Sequence, residues 1–318
     1  MSHQLPIGLS DFKELREENY YYVDKSLFVQ EIINSSSKVL LLPRPRRFGK
    51  TLNLSLLRYF LEKRQDSLAH LFKGLAIEND TSIMQHQGQY PVIFLTFKSC
   101  KGSTIEKCLS EIRGMLLKCY REYKPLIYQT LTQEEKQIYD KITQEKGQSR
   151  DWEDALSFLM QLLHQQTAKR VIVLLDEYDA PIHAGKEHGY YEEIVLFMKL
   201  LLGNALKDNS DLEKGIVTGV LRISKESIFS DLNNLDVCSL LDLEFQDHFG
   251  FTETEIERLI ADFAFKEAET LKIWYDGYLF GERVIYNPWS VLNFMNRKRK
   301  LPRPYWINTG CIIVTQNR

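Results

Sequence analysis

The sequence predicts an α/β fold: a mainly parallel sheet with helices on both faces, followed by a small helical module. Three observations carry this. Val39-Leu40-Leu41-Leu42 and Val171 to Leu175 are unbroken apolar runs, the pattern of strands buried on both faces. The stretches between them carry apolar residues at helical spacing. Each run also ends in chemistry-bearing residues, the first in a Pro/Arg loop that opens onto Gly49-Lys50-Thr51, the second in Asp176-Glu177.

In chain order, residues 5–37 form a lead-in. Tyr20-Tyr21-Tyr22-Val23 reads as a short strand, and Asp24 as the N-cap of a helix that turns Leu27, Phe28, Ile32 and Ile33 inward. The tyrosines suit either a ring-stacking wall before the loop or ordinary core, and core is the commoner use.

Strand, loop, Gly-Lys-Thr, helix is the layout of a phosphate-binding loop. Backbone N–H groups at the helix start point at phosphate oxygens, and the helix dipole favours negative charge. Lys50 would reach the β- and γ-phosphates, and the Thr51 hydroxyl would bind Mg²⁺. The first Gly of GxxxxGK[ST] falls at Arg44, between Pro43 and Pro45. Arg44, Arg46 and Arg47 are expected to compensate by touching phosphate, since a guanidinium suits bidentate contacts. The rival use of this loop is a basic nucleic-acid patch.

Residues 62–90 are polar and mixed, and Tyr90 to Phe97 is the next strand. Ser103 with Glu106 reads as a capping box, with Ile105, Leu109, Ile112 and Leu116 on the inner helix face. Residues 121–150 read as a solvated insertion, with a short helix starting at Thr132 and Glu135. A helix from Asp151 turns Trp152, Leu156, Leu159 and Leu163 inward and leads into the acidic strand. There Asp176 would hold Mg²⁺, and Glu177 would orient and deprotonate a water. Pro181 to Tyr190 reads as a loop whose His183 and His188 are solvated, because no ligand cluster accompanies them. A helix over Tyr191 to Lys207, a central strand over Gly215 to Leu221 and a further strand within 237–245 follow.

Gly250 marks a boundary between a core over 1–249 and a module over 250–296. Thr252 and Glu255 make a capping box, with Phe251 and Ile256 as its staple. Trp274-Tyr275-Asp276-Gly277-Tyr278 reads as an aromatic turn, and Asn287-Pro288 opens another helix. Residues 297–318 begin with the basic RKRKLPRP and read as a linker and tail, with a nucleic-acid contact as one use.

Composition bounds the classes. The chain has 318 residues, 44% of them hydrophobic, and a formal net charge of −2, which gives no global pull toward nucleic acid or anionic membrane. No apolar run reaches the about 18 residues of a membrane span, and the N-terminus lacks the pattern of a signal peptide. Five cysteines without CxxC pairing read as reduced thiols of a cytoplasmic protein and argue against zinc.

Taken together, the motifs resemble the AAA-ATPase-like proteins that carry PRRFGK[ST]. The resemblance begins at Ile7-Gly8 and Tyr22-Val23-Asp24-Lys25, and takes in Arg44 to Thr51 and Leu175 to Asp179. It continues through Thr218 to Arg222, Trp274 to Tyr278 and Tyr286 to Ser290. It implies a P-loop ATPase core in which an Arg at the first motif position is usual. It also implies a lid packing over bound nucleotide and a γ-phosphate sensor at Thr218. Arg222, just beyond that strand, suits equally a phosphate contact in cis or as an arginine finger, and a pairing with a surface acid. Family members commonly continue into a PD-(D/E)XK nuclease-like domain, and Arg318 lies about where that domain would begin.

The expected activity is Mg²⁺-dependent ATP hydrolysis coupled to conformational change. Arg46, Arg47, Phe48, Gly49, Lys50, Thr51 and Leu52 form the phosphate loop, with Thr218 beside it. Thr51 and Asp176 would hold the metal, and Glu177 and Arg222 would act in catalysis. Homo-oligomers, an effector domain and nucleic acid are the conceivable partners, with no membrane. The alternatives are a slow or non-hydrolysing nucleotide switch and a nucleic-acid-binding protein using the basic loops.

Overall fold

The computed structural model describes residues 4–220, 228–229, 232–266, 269–271 and 277–300. After α1 (Phe12–Glu17) and α2 (Leu27–Asn34), the first central strand is β1 (Val39–Pro43), followed by α3 (Lys50–Leu61) and the short α4 (Thr81–Met84). Then come β2 (Val92–Thr96), α5 (Ile105–Ile127), α6 (Gln133–Thr143), α7 (Ser149–Glu153), α8 (Ala155–Thr167), β3 (Val171–Asp176), α9 (Ala180–His188), α10 (Tyr191–Leu206), β4 (Leu212–Gly219) and β5 (Leu235–Val237). The strands pair in parallel in the order β2-β3-β4-β1-β5.

Strand periodicity divides the core between the two faces of this sheet. Val39, Leu41, Val173, Leu175 and Val217 pack with Ile112, Leu116, Leu156, Leu159 and Leu201. Leu40, Leu42, Ile172, Leu174 and Ile216 pack with Phe28, Leu54, Leu57 and Phe60 on the other. Both faces are covered, so the strands read as unbroken apolar runs.

Beyond Gly250 lie β6 (Phe251–Thr252), α11 (Glu253–Asp262), β7 (Tyr278–Phe280), β8 (Arg283–Tyr286) and α12 (Pro288–Lys300). The expected helices are accompanied by a three-stranded antiparallel sheet in the order β6-β8-β7. Thr252 and Glu255 form the expected capping box, and Asn287 Oδ1 accepts from the Ser290 amide at 3.1 Å. Phe251 and Ile256 share one cluster with Leu259, Val291 and Met295, and Leu5, Ile7, Tyr21 and Val23 from the lead-in pack against it.

Several local expectations are corrected. Pro181 to Tyr190 is mostly helix, with Pro in its first turn and Gly189 as its left-handed C-cap at φ +81°. α5 is capped by Thr104, whose hydroxyl accepts from Lys107 N, so the cap lies one residue past Ser103. Asp24 caps no helix. Its carboxylate accepts from Ser26 N and Ala76 N, which ties the lead-in to the turn at 76–79. Tyr20 makes only an isolated bridge to Gln4. The strand expected over 237–245 lies instead at Leu235–Val237 and shares only Val237 with that stretch, and beyond it the Asp242 carboxylate takes the Ser239 amide in a turn. Residues 121–150 are largely exposed as expected, but Ile127, Leu131, Tyr139 and Ile142 anchor them to the core. Residues 297–300 continue α12 rather than forming a linker. Trp274, Tyr275, Asp276 and 301–318 lie outside the described residues.

Candidate active site

Parallel register brings the chemistry to one edge. Thr96 pairs with Asp176, Leu42 with Thr218 and Pro43 with Gly219, so the carboxyl ends of four strands align. In open α/β sheets that edge is where ligands bind.

β1 feeds the loop Arg44 to Phe48, and Gly49 caps α3 at φ +85°. A Cβ on Gly49 would meet nothing within 4 Å, so backbone conformation rather than crowding calls for glycine there. The first intrahelical acceptor is Gly49 O, bonded by Asn53 N at 2.9 Å. The preceding amides of α3 therefore have no helical partner and point out of the helix start. Lys50 is buried, and its Nζ donates to Arg44 O and Pro45 O at 3.0 Å. Burial pushes its pKa below the ordinary lysine value, opposed by Glu177, Asp176 and Asp179.

Asp176 is fully buried at the end of β3 and gathers three hydroxyls. Thr51 Oγ1 donates to Oδ2 at 2.8 Å, Thr218 Oγ1 to Oδ1 at 2.9 Å, and Thr96 Oγ1 to Oδ2 at 3.4 Å. Thr96 escaped the sequence reading. Its only signal is its place as the last residue of an apolar strand. Glu177 follows at φ +51°, a left-handed conformation costly for a non-glycine residue. Asp179 accepts from Val220 N at 2.9 Å and from His183 Nε2 at 3.4 Å. A Cβ at Gly219 would sit 2.8 Å from Asp179 Oδ1, so glycine permits this close approach of β4 to the start of α9. His183 is thus tied to Asp179, and His188 stacks beside Tyr190. Among the described residues, the one group spaced to hold a metal through His, Cys, Asp or Glu is Asp236, Cys238 and Glu244, and it excludes both histidines.

A cavity of about 290 Å³ opens beside Lys50. Arg47, Gly49, Lys50, Thr51, Leu52, Lys98 and Glu177 line its sheet end. Ile7, Tyr21, Tyr22, Phe251 and Leu292 line the rest, and Trp289 lines it against Arg47. The two tyrosines therefore serve as cavity wall, although Tyr22 also packs edge-on to Phe12. Tyr21 Oη donates to Asp262 at 2.6 Å, and Lys25 Nζ meets Glu255 Oε1 and Asp247 O at 2.6 Å. These bonds lock the lead-in to α11.

The arginines divide. Arg44 does not face the cavity. Only 1% exposed, it donates through Nη1 to Cys238 O at 2.7 Å and Pro43 O at 3.0 Å. Its guanidinium lies 5.0 Å from the Phe249 ring centroid and 5.8 Å from that of Phe280. Burial lowers its pKa to about 10, with Cys238, Asp242 and Glu31 opposing. The expected phosphate contact by Arg44 is thereby replaced by a structural role, and the exposed basic surface of the loop shrinks to Arg46 and Arg47. Phe48 is buried between Tyr278 and Phe280, so its side chain anchors the loop to the small sheet. Arg222 lies outside the described residues.

Among the described residues, no helix is long and apolar enough to cross a membrane. Cys100, Cys108, Cys119 and Cys238 are buried free thiols, and Cys311 lies outside the described residues.

Comparison with known proteins places the chain in a family. The chain is 30% identical over 310 residues to an "Uncharacterized protein in vnfD 5'region" of Azotobacter chroococcum mcd 1. The match covers 96% of this chain and 54% of the relative, so the chain spans about half the length of that curated protein. A family profile described as Predicted AAA-ATPase matches residues 6–229, from the lead-in past the central strand that carries Thr218. A family match over most of the chain, on a parallel sheet with Lys50, Thr51 and Asp176 at one edge, makes this protein a member of the Predicted AAA-ATPase family.

Proposed function

We propose that this chain binds Mg²⁺-ATP and hydrolyses it to ADP and phosphate, and that the reaction moves its C-terminal module. The observation that carries the reading is the Thr51–Asp176–Thr218 constellation beside Lys50 at the mouth of the cavity. Family membership supports ATP as the ligand.

Phosphates would lie against the first amides of α3, with the Lys50 ammonium and the Arg46 and Arg47 guanidiniums adding charge. The Thr51 hydroxyl and the Asp176 carboxylate offer two oxygens 2.8 Å apart, a donor set that fits a hard cation such as Mg²⁺. That ion would supply charge neutralisation on the phosphates. Glu177, on the cavity wall, would orient the attacking water and take its proton. Thr218 would hold Asp176 in place and read the γ-phosphate from the central strand. Arg222 would add a cation in cis or from a neighbouring copy. The apolar end would take the adenine ring between the lead-in and the module. The buried free thiols accord with a reducing, cytoplasmic setting.

Titration calorimetry and phosphate release on the full chain test this. Lys50→Ala is expected to weaken ATP about 100-fold, the scale of a lost hydrogen bond to a charged group. Glu177→Gln is expected to keep ATP affinity and slow turnover at least about 100-fold. Unchanged ATP binding in Lys50→Ala would overturn the assignment. Binding without turnover in the wild type would leave a nucleotide switch.

A further inference from the structure

Three consecutive loop residues, Arg46 to Phe48, each touch the C-terminal module. Asn287 Nδ2 approaches Arg46 O at 3.4 Å, and Gly250 N donates to Phe48 O at 3.1 Å. Between them, the Arg47 guanidinium lies 3.8 Å above the Trp289 ring centroid. Trp289 stands in the first turn of α12 and remains 39% exposed, and both residues line the cavity together with Lys50 and Glu177. Arg47 holds φ +70°, the left-handed region that a non-glycine residue occupies only when its surroundings impose it. The Arg47 side chain is therefore committed to an indole while its backbone belongs to the phosphate loop.

We propose that Trp289 and Arg47 form a phosphate-released latch between the loop and α12, a regulation of the ATP site that rests on the ATP reading above. A cation–π contact at a partly exposed indole is weak. A charge-assisted, bidentate guanidinium–phosphate contact is stronger and directional. A bound triphosphate takes Arg47 from the indole, and the first turn of α12 loses that hold on the loop. Adenosine has no phosphate and leaves the latch closed. The loop thus reports the presence of phosphate to the helix that leads out of the module, and the latch lowers ATP affinity because the stack must open first.

A double-mutant cycle on the full chain, read by calorimetry with ATP and with adenosine, tests this. Trp289→Leu is expected to raise the ratio of ATP to adenosine affinity about fivefold, because the stack no longer competes for Arg47 while any change in ring binding falls on both ligands alike. Trp289→Phe keeps a ring and is expected to change ATP less than about twofold. In an Arg47→Gln background, Trp289→Leu is expected to leave that ratio unchanged. Amide exchange over residues 288–295 is expected to quicken with ATP and not with adenosine. If ATP and adenosine shift together, or if the effect of Trp289→Leu persists without Arg47, Trp289 is only a wall of the base pocket and the latch is wrong. The Lys50→Ala control separates the two levels: ATP binding that ignores Lys50 removes the ATP reading itself, whereas Lys50-dependent binding with a flat cycle removes the latch alone.

Discussion

At the sheet end of the cavity, Lys50, Thr51, Asp176 and Thr218 stand on strand ends or on the first turn of a helix, and each is tied to another by hydrogen bonds of 3.0 Å or less, or to the loop itself. At the opposite end, Ile7, Tyr21 and Tyr22 of the lead-in face Phe251 and Leu292 from far along the chain. They are joined by apolar packing and by peripheral bonds such as Lys25 to Glu255. The sheet end is rigid because parallel register sets the position of every group in it. The far end is built where two segments distant in sequence meet, each of them also anchored on the core through residues such as Phe28 and Phe280. Under the proposed function, charge recognition would be preorganised, whereas the apolar wall would depend on the docking of the module. A mutation at the sheet end should act on phosphate alone, and one at the far end should act on ring binding and stability together.

Arg44 is the strongest challenge to that division, since it sits in the phosphate motif but packs as core. Arg44→Ala should lower unfolding free energy by about 3 kcal/mol in a denaturant titration, the scale of a large buried side chain lost. It should leave the ratio of ATP to adenosine affinity unchanged. Arg44→Met should cost only about 1 kcal/mol, because it refills the space between Phe249 and Phe280 and removes Nε and Nη2, which are buried without hydrogen bonds. A selective loss of ATP binding in Arg44→Met would return this residue to the phosphate end.

Lys25→Met probes the far end. The Lys25 side chain is 8% exposed, and its removal leaves the partly buried Glu255 carboxylate without its cation. Stability should fall by about 2 kcal/mol. ATP and adenosine affinities should fall in equal proportion as Tyr21 to Val23 loosen from α11. Unequal losses would mean that Lys25 touches phosphate, and the two ends would no longer be separable.

The smallest effect is one of pH. In the proposed site Lys50 would bind phosphate as the ammonium, and burial holds its pKa below the ordinary lysine value despite Glu177, Asp176 and Asp179. ATP affinity should therefore be full while pH is below that lowered pKa and fall as pH rises through it, by about twofold where the two are equal. Adenosine affinity should stay level over the same range. Lys50→Arg should carry the decline to higher pH, and an unmoved decline would assign it to another group.

The phosphate end was legible because its chemistry is contiguous. A buried strand, Gly49-Lys50-Thr51 and the start of α3 are neighbours in sequence, and Asp176-Glu177 closes a second apolar run. The helix at Ala180–His188 was readable too, from its first-turn proline and closing glycine, but its two histidines and two glycines suggested a loop. Thr96 carried no motif, and only its pairing with Asp176 brings it to the site.

By itself the sequence determined the α/β class, the buried strands and the motif residues at their ends, because period, capping and motif act over a few neighbouring residues. Tertiary structure alone decided which side of the loop each arginine faces. Arg44 turns into the core against Phe249 and Phe280, and Arg47 turns outward onto Trp289. It also decided that Tyr21 and Tyr22 would be cavity wall. These outcomes depend on surfaces that meet only after the lead-in and the C-terminal module pack together, and contacts between such distant segments leave no periodic trace in the chain.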